Sequence, residues 1–236
     1  QCGGHLRRPS LVCTVASTRF FVYSGKYSST YHRLRTSMHK RLPTEERQAE
    51  IVAAALRLAR DASPALITTG DIAAAVGLTQ GAVFKHFPTK DAIWLAAMGW
   101  VRKQLLAALT RAAQAAPTPL ASLEAVFNAH VAFVASHPGV PRLIFHELQQ
   151  APDSAVKQEV RTLLQAYRKL LMSLLGAAAE RGQVPADLDR EAAATLFVGI
   201  VQGLVMQSML SGKPGTLKAQ ADRVFAIYLR GIGEAS

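Results

Sequence analysis

The chain has 236 residues, half of them hydrophobic, and it carries 27 Lys and Arg against 16 Asp and Glu, a formal net charge of +11. This length and apolar content can bury one sizeable core together with a small satellite domain, and the charge indicates a polyanionic partner. Cys2 and Cys13 are the only cysteines, which excludes a structural disulfide and a cysteine-rich metal site in the folded body.

Most of the positive charge lies at the N-terminal end. Residues 1–42 contain eight basic residues and no acidic one, so the rest of the chain, with 19 basic and 16 acidic residues, carries only +3. This stretch lacks a helical period, which predicts a basic extension that is disordered in isolation. Met38 is a candidate start, in which case residues 1–37 are not native. The alternative is an arm that contacts DNA phosphates or the minor groove.

No secretion signal is indicated near this end. Arg7 and Arg8 are followed by an apolar run from Leu11 to Ala16 that is too short for one, and Arg19 comes soon after it. We therefore expect a cytoplasmic protein.

The first helix is predicted to open at Pro43 and Thr44 and to run to Asp61. Its apolar stripe should pack on the elements that follow, while Glu45, Arg47 and Glu50 stay in water. The stripe consists of Ile51, Ala55, Leu58 and Ala59.

The segment from Thr69 to Lys90 predicts two short helices joined by a glycine-centred turn, a helix-turn-helix. In the first helix Ile72, Ala73 and Val76 repeat at helical spacing, and Thr69 or Asp71 is expected to cap it. Gly77 supplies the positive φ that ends this helix. Leu78 fills the space between the helices, Thr79 caps the second helix, and Val83 and Phe87 turn inward.

The residues left outward on the second helix suit the major groove of DNA. Gln80 lies in the first turn, where its amide can pair with adenine through two hydrogen bonds, and Gly81 lets the backbones approach. Lys85 and His86 can reach phosphate oxygens, as can Lys90 at the start of the next helix, after Pro88. Sequence-specific DNA binding is therefore the first functional hypothesis.

The pattern from Gly70 to Lys90 resembles the DNA-binding domain of the TetR family of bacterial transcriptional regulators, and the resemblance extends over roughly Glu45 to Trp100. It implies an all-α homodimer that binds a palindromic operator, usually as a repressor, and is released by a small molecule. Many relatives have tyrosine where this chain has Phe84, so a phosphate contact through that hydroxyl is lost. The DNA contacts that the resemblance implies are Thr69, Thr79, Gln80, Gly81, Phe84, Lys85, His86 and Lys90.

Six further helices are predicted after Pro88, separated by proline and glycine. Their expected ranges are Lys90 to Ala115, Leu120 to Ser136, Val140 to Gln150, Asp153 to Gly182, Asp189 to Ser211 and Thr216 to Gly231. The fold class is thus all-α. A three-helix DNA-binding domain over residues 43–89 is followed by a larger ligand-binding and dimerisation domain over residues 90–236.

The helix at 189–211 contains 21 residues without a charge, from Ala192 to Gly212, which is the length of a membrane span. Gln202, Gln207 and the absence of a second such segment argue against the membrane. We expect instead that it forms a four-helix bundle with the last helix and a second subunit. The alternative is that both helices only cover their own core. The predicted interface comprises Leu196, Gly199, Ile200, Gly203, Met206, Leu210, Val224, Phe225 and Tyr228.

Aromatic and stray polar residues on the central helices suggest a mostly apolar ligand pocket, although each is also consistent with ordinary core. The ligand is expected to be small and apolar or amphipathic. The candidates are Trp100, Phe127, His130, Val131, Phe145, His146, Tyr167 and Met172. The helix beginning at Lys90 would act as the lever that couples the pocket to the DNA-binding domain.

Catalytic and metal sites are not predicted. His130 and His137 are seven residues apart, and His146 adjoins Glu147, but no tight ligand cluster accompanies them. No nucleophile elbow, phosphate loop or dinucleotide motif is present, so neither an enzyme nor a cofactor is expected. The remaining alternatives are a transcriptional activator of the same fold and a nucleoid-type DNA binder with little sequence preference.

Overall fold

The computed structural model describes residues 43–150, 153–212 and 216–233. The predicted basic extension, with Met38 and both cysteines, lies outside the described residues. Within those ranges the chain forms nine α-helices and no strand, which confirms the predicted all-α fold. The helices are α1 (Thr44–Leu58), α2 (Thr69–Ala75), α3 (Gln80–Phe84), α4 (Lys90–Ala115), α5 (Pro119–Ser136), α6 (Gly139–Gln149), α7 (Ala155–Glu180), α8 (Arg190–Ser211) and α9 (Thr216–Gly233).

Side-chain caps explain where several helices begin. Thr89 accepts the backbone N–H of Ala92 at the start of α4, and Ser154 accepts that of Lys157 at the start of α7. Asp189 accepts two backbone N–H groups at the start of α8. Each cap satisfies amide groups that have no partner inside their own helix. Because these signals are local, most predicted helix ends agree with the structure to within two residues, and α1, which ends at Leu58 instead of Asp61, deviates most.

Helices α1, α2 and α3 form a small N-terminal group whose core is closed by Ile51, Ile72, Val83 and Phe87. Helix α4 packs on α1 and also on α5 and α7, so it belongs to this group and to the C-terminal helices at once. Its buried stripe includes Ile93, Met98 and Val101. Helix α4 therefore connects the C-terminal helices to the N-terminal group.

The C-terminal core is organised around stacked aromatic rings. Phe127 of α5 stacks on Phe225 of α9 with a centroid distance of 4.5 Å, and Phe197 of α8 meets both rings edge-on. The hydroxyl of Tyr228 donates to the backbone carbonyl of Ala193 at 3.2 Å, which ties α9 to α8. Phe225 and Tyr228, which were predicted for the subunit interface, thus lie in the protomer's own core, 3% and 2% exposed.

Candidate nucleic-acid interface and ligand cavity

The turn between α2 and α3 has the geometry of a Schellman motif. The backbone N–H of Leu78 donates to the carbonyl of Ala73 at 2.8 Å, and that of Gly77 donates to Ala74 at 3.1 Å. Gly77 has φ 67°, the left-handed region that side chains with a Cβ rarely adopt. The predicted role of Gly77 is confirmed, and this turn fixes the angle at which α3 leaves α2.

The cap of α2 agrees with the prediction for Asp71 but not for Thr69. Thr68 is the N-cap residue, and its hydroxyl accepts the backbone N–H of Asp71 at 3.1 Å, while the Asp71 carboxylate accepts the backbone N–H of Thr68 at 2.8 Å. This reciprocal pair is a capping box. The Asp71 carboxylate accepts from the backbone N–H and also from the hydroxyl of Thr68, and these two hydrogen bonds lower the pKa of Asp71. Thr69 was the wrong residue for this role, because it is already the first helical residue and is buried. Thr79 caps α3 as predicted, by accepting from Ala82 at 3.2 Å.

The outer face of α3 is open to solvent along the predicted DNA-contacting residues. The side-chain amide of Gln80 donates to the hydroxyl of Thr69 at 2.6 Å, so two of these residues are joined across the motif. A Cβ placed on Gly81 would meet nothing within 4 Å. Phe84 is 44% exposed and Lys85 is exposed beside it. A large part of the Phe84 ring is therefore accessible from outside the protomer, beside the side chain of Lys85.

His86 and Lys90 are held by other contacts. The backbone carbonyl of His86 accepts from the side chain of Gln48 at 3.2 Å, and its ring Nδ1 is buried and has no hydrogen-bond partner among the described residues. The ammonium group of Lys90 donates to the carbonyls of Pro64, Ala65 and Ile67 at 3.1–3.4 Å. Because an ammonium group has three N–H donors, these carbonyls occupy all of them. Lys90 therefore fastens the start of α4 to the loop before α2.

A cavity of about 110 Å³ lies among α4, α5, α6, α7 and α8. Its wall is almost entirely aliphatic and aromatic, and His130, Tyr167 and Gln202 supply the polar side chains. Leu148 and Leu164 are 57% and 41% exposed, which places solvent-accessible apolar side chains at its rim. The lining residues are Val101, Leu105, His130, Phe133, Val134, Val140, Pro141, Ile144, Phe145, Leu148, Val160, Leu163, Leu164, Tyr167, Val198, Val201, Gln202 and Val205.

Three of the eight predicted pocket residues, His130, Phe145 and Tyr167, line this cavity. Trp100 packs edge-on against the ring of His137, and Phe127 belongs to the aromatic core. Val131, His146 and Met172 are also absent from the wall. The aliphatic residues of α6, α7 and α8 that make up most of the wall were missed, because their helical spacing is the same as that of ordinary core residues.

His130 and Tyr167 form a polar pair inside this apolar wall. Nδ1 of His130 lies 3.2 Å from the hydroxyl oxygen of Tyr167, within hydrogen-bonding distance. Desolvation by the surrounding side chains lowers the pKa of His130 to about 4, and burial raises the pKa of Tyr167 above its usual range. Both side chains are therefore uncharged at neutral pH. His137, by contrast, lies against the carbonyl of Phe133, so the two histidines do not share a site.

The neutral His130 makes the stability of the fold depend on pH. The unfolded chain binds a proton at His130 below about pH 6.5, whereas the folded chain does so only near pH 4, so stability is complete above pH 6.5 and is lost as the pH falls towards 4. We expect this residue to lower the free energy of unfolding by an amount on the order of 3 kcal/mol as the pH falls from 6.5 to 4. Chemical unfolding at several pH values should show a smaller loss for His130→Gln than for the original chain. If the free energy of unfolding depends on pH in the same way in both proteins, His130 is not the source of this pH dependence.

Helices α8 and α9 present several large apolar side chains that the described residues leave exposed. Leu196, Met206 and Leu210, all predicted for the interface, are 54%, 42% and 81% exposed, and Ile227 of α9 is 62% exposed. Added Cβ atoms at Gly199 and Gly203 would meet nothing within 4 Å. The groove between the two helices has a mixed lining of Ile200, Gly203, Leu204, Val224 and Ile227 together with the polar residues Gln207, Gln220, Arg223 and Arg230. By length and composition α8 could cross a membrane, and 33% of its most apolar window is buried.

Both the N-terminal helices and the C-terminal helices of this chain are similar to known proteins. Residues 51–97 match the model of bacterial regulatory proteins, tetR family, and residues 119–224 match a tetracyclin repressor-like C-terminal domain. The HTH-type transcriptional regulator TtgR of Pseudomonas putida is 27% identical over 173 residues, 70% of this chain and 81% of that protein. The nucleoid occlusion factor SlmA of a Marinomonas species is 25% identical over 99 residues, 42% of this chain and 50% of that protein.

Solved structures share the fold at lower identity. The fatty acid degradation regulator FadR from Bacillus halodurans superimposes with a TM-score of 0.71 and 19% identity, and the match covers 83% of this chain and all of that chain. The helix-turn-helix and the C-terminal helical domain are thus both features of known bacterial regulators.

Proposed function

Because the chain belongs to the TetR family of bacterial transcriptional regulators, we propose that it binds a palindromic operator as a cytoplasmic homodimer, represses transcription and is released by a small molecule. Regulators of this family bind operator DNA as dimers and respond to small-molecule ligands. We further propose that the chain has no catalytic role, since the proteins to which it is similar are transcriptional regulators.

The observation that carries this proposal is the exposed face of α3, supported by a Schellman turn and two side-chain caps. A recognition helix must present its first turn to base edges at a fixed angle, and this turn supplies that angle. Gln80 is the proposed base contact, Lys85 a phosphate contact, and Phe84 an apolar contact with sugar or a thymine methyl group. Thr69 supports Gln80 through its hydroxyl.

The subunit contact is proposed for the uncovered face of α8 and α9. Leu196 and Leu210 of α8 and Ile227 of α9 are more than half exposed in the protomer. The two helices are neighbours, and a groove runs between them. A second copy related by a two-fold axis would bury both faces and form a four-helix bundle. Such a dimer would hold two recognition helices about one helical turn of DNA apart, near 34–36 Å or a multiple of that distance.

Two connections could carry a signal from the cavity to the DNA-binding helices. Helix α4 contributes Val101 and Leu105 to the cavity, and Lys90 fastens its start to the loop before α2. Helix α6 contributes Val140 and Ile144 to the cavity, and its first residue, Gly139, contacts the end of α1. A ligand shifts the dimer only by its differential affinity for the two states, typically about 1–3 kcal/mol of coupling.

Replacing Gln80 with alanine should weaken operator binding by about 1–3 kcal/mol, roughly 5- to 150-fold, and should relax the preference at one base pair of each half-site. The reason is the loss of the proposed amide–base pair. Gln104→Ala, which removes an exposed glutamine from α4, is the matched control and should leave affinity unchanged. Equal effects of the two variants in a fluorescence anisotropy titration would remove Gln80 from the proposed contacts.

The proposal is tested most simply by competition in a gel-shift assay between the promoter region of the chain's own gene and random DNA. Preferential competition by the promoter region supports a sequence-specific regulator. Equal competition by both would instead indicate a low-specificity nucleoid-type binder, and no binding at all would reject the proposed function. A reporter gene under the same promoter then separates a repressor from an activator.

A further inference from the structure

Among the residues that the structure describes, none with a charged side chain lines the cavity among α4, α5, α6, α7 and α8. Arg102 and Glu159 neighbour the lining residues Val101 and Val160 in sequence, but they are paired with each other at 2.7 Å. Arg142 of α6 is outside the wall, and its Nε is buried without a hydrogen-bond partner among the described residues. A charged ligand group inside the cavity would therefore lack a counter-ion.

Desolvating an ionised group without a partner costs far more than desolvating a hydroxyl or carbonyl that finds a hydrogen bond. The pair of His130 and Tyr167 offers such hydrogen bonds at one place in the wall, since its two polar atoms are 3.2 Å apart. A neutral imidazole carries one donor and one acceptor, and a phenol hydroxyl both donates and accepts. When Nδ1–H of His130 donates to Tyr167, the Tyr167 hydroxyl is free to donate to a ligand carbonyl or hydroxyl oxygen. In the other tautomer Tyr167 donates to Nδ1, and its oxygen can accept from a ligand hydroxyl.

The size of the cavity adds a further restriction. At about 110 Å³ it is somewhat smaller than an apolar cavity of roughly 150 Å³ that binds benzene in another protein. A single aromatic ring or a compact branched aliphatic group is on this scale. The exposed side chains of Leu148 and Leu164 at the rim leave room for an apolar substituent to extend outward.

Building on the proposed ligand-responsive function, we propose that the ligand is an uncharged compound with a compact apolar body and one hydroxyl or carbonyl that binds the pair of His130 and Tyr167. Carboxylates, phosphates and ammonium compounds of the same shape are rejected. The selectivity arises from the absence of a counter-ion in the wall and not from the outline of the cavity.

Two matched pairs of probes test this selectivity, 4-propylphenol with 4-propylbenzoate and 1-naphthol with 1-naphthoate. Thermal unfolding and calorimetric titration of the full chain at pH 7 measure binding without DNA. We expect at least one phenol to raise the melting temperature and to bind at least tenfold more tightly than its carboxylate. A carboxylate that binds as tightly as its phenol, or no binding by either phenol at 1 mM, would overturn the proposal.

Tyr167→Phe locates the polar contact, with Tyr228→Phe as the matched control. Tyr167→Phe removes only the hydroxyl in the cavity wall and should weaken phenol binding about fivefold. Tyr228→Phe removes an equally buried hydroxyl that bonds to Ala193 and should leave phenol affinity unchanged. Equal losses in both variants would contradict the assigned contact. Because these titrations contain no DNA, their failure is distinct from a failure of operator binding in the gel-shift assay.

Discussion

Replacing Leu196 and Ile227 together with arginine should convert the protein to a monomer and weaken its binding to a palindromic operator by roughly 10²- to 10⁴-fold. Both side chains are more than half exposed in the protomer, so the substitution should not disturb the fold itself. In the proposed dimer they would place unpaired charges in a buried apolar contact. A monomer then binds each half-site alone and loses the gain from linking two recognition helices.

Analytical ultracentrifugation at micromolar concentration, with a circular dichroism spectrum to verify folding, measures this effect. Leu66→Arg is the matched control, because Leu66 is 75% exposed but lies in the loop before α2. It should remain dimeric. If the double variant sediments like the original chain and binds the operator with unchanged affinity, the subunit contact does not lie on α8 and α9.

The second large effect is expected at Gly139, the first residue of α6. An alanine Cβ at this position would lie 2.0 Å from the carbonyl oxygen of Leu56 and 3.1 Å from the backbone nitrogen of Arg60. Both atoms belong to the backbone at the end of α1, so no side chain can rotate out of the way. Gly139→Ala must therefore push α6 away from α1.

Overpacking of this kind typically costs about 1–3 kcal/mol, which corresponds to a decrease of roughly 2–12 °C in the melting temperature of a domain this size. Because α6 also lines the cavity, the displacement should in addition change the operator affinity of the ligand-free protein. Gly99→Ala is the matched control, since its Cβ would meet only the Glu159 carboxylate, at 4.0 Å. If the Gly139→Ala protein has the melting temperature of the original chain, the close contact between α1 and α6 does not contribute to stability as expected.

Local signals in the sequence were sufficient to predict the helix-turn-helix. Gly77 and Thr79 act through hydrogen bonds within a few residues, and Val83 and Phe87 turn inward at helical spacing; each has the predicted role. For the cap of α2, Asp71 was predicted correctly, but Thr69 was named instead of the adjacent Thr68, which is a residue of the same type. The hydrogen bond from Gln80 back to Thr69 depends on the angle between two helices and could not be predicted from either helix alone.

The cavity and the subunit face were harder to predict, because both depend on how distant helices pack. Val160, Leu163 and Ile144 line the cavity, yet their pattern is that of any buried helix stripe. Phe225 and Tyr228 are aromatic residues of the kind that is common in subunit interfaces, but aromatic rings of α5 and α8 cover them. The close contact at Gly139 joins segments about 80 residues apart, so no neighbouring residue indicates it.

Selection of binding sites from a random DNA library by the purified full chain tests the central claim most directly. We predict enrichment of a palindrome whose two half-sites are centred one helical turn apart, about 10 base pairs, or a multiple of that spacing. The same site should compete with the promoter region of the chain's own gene for binding. Recovery of sequences with no common motif, or of a single half-site without symmetry, would contradict a dimeric sequence-specific regulator.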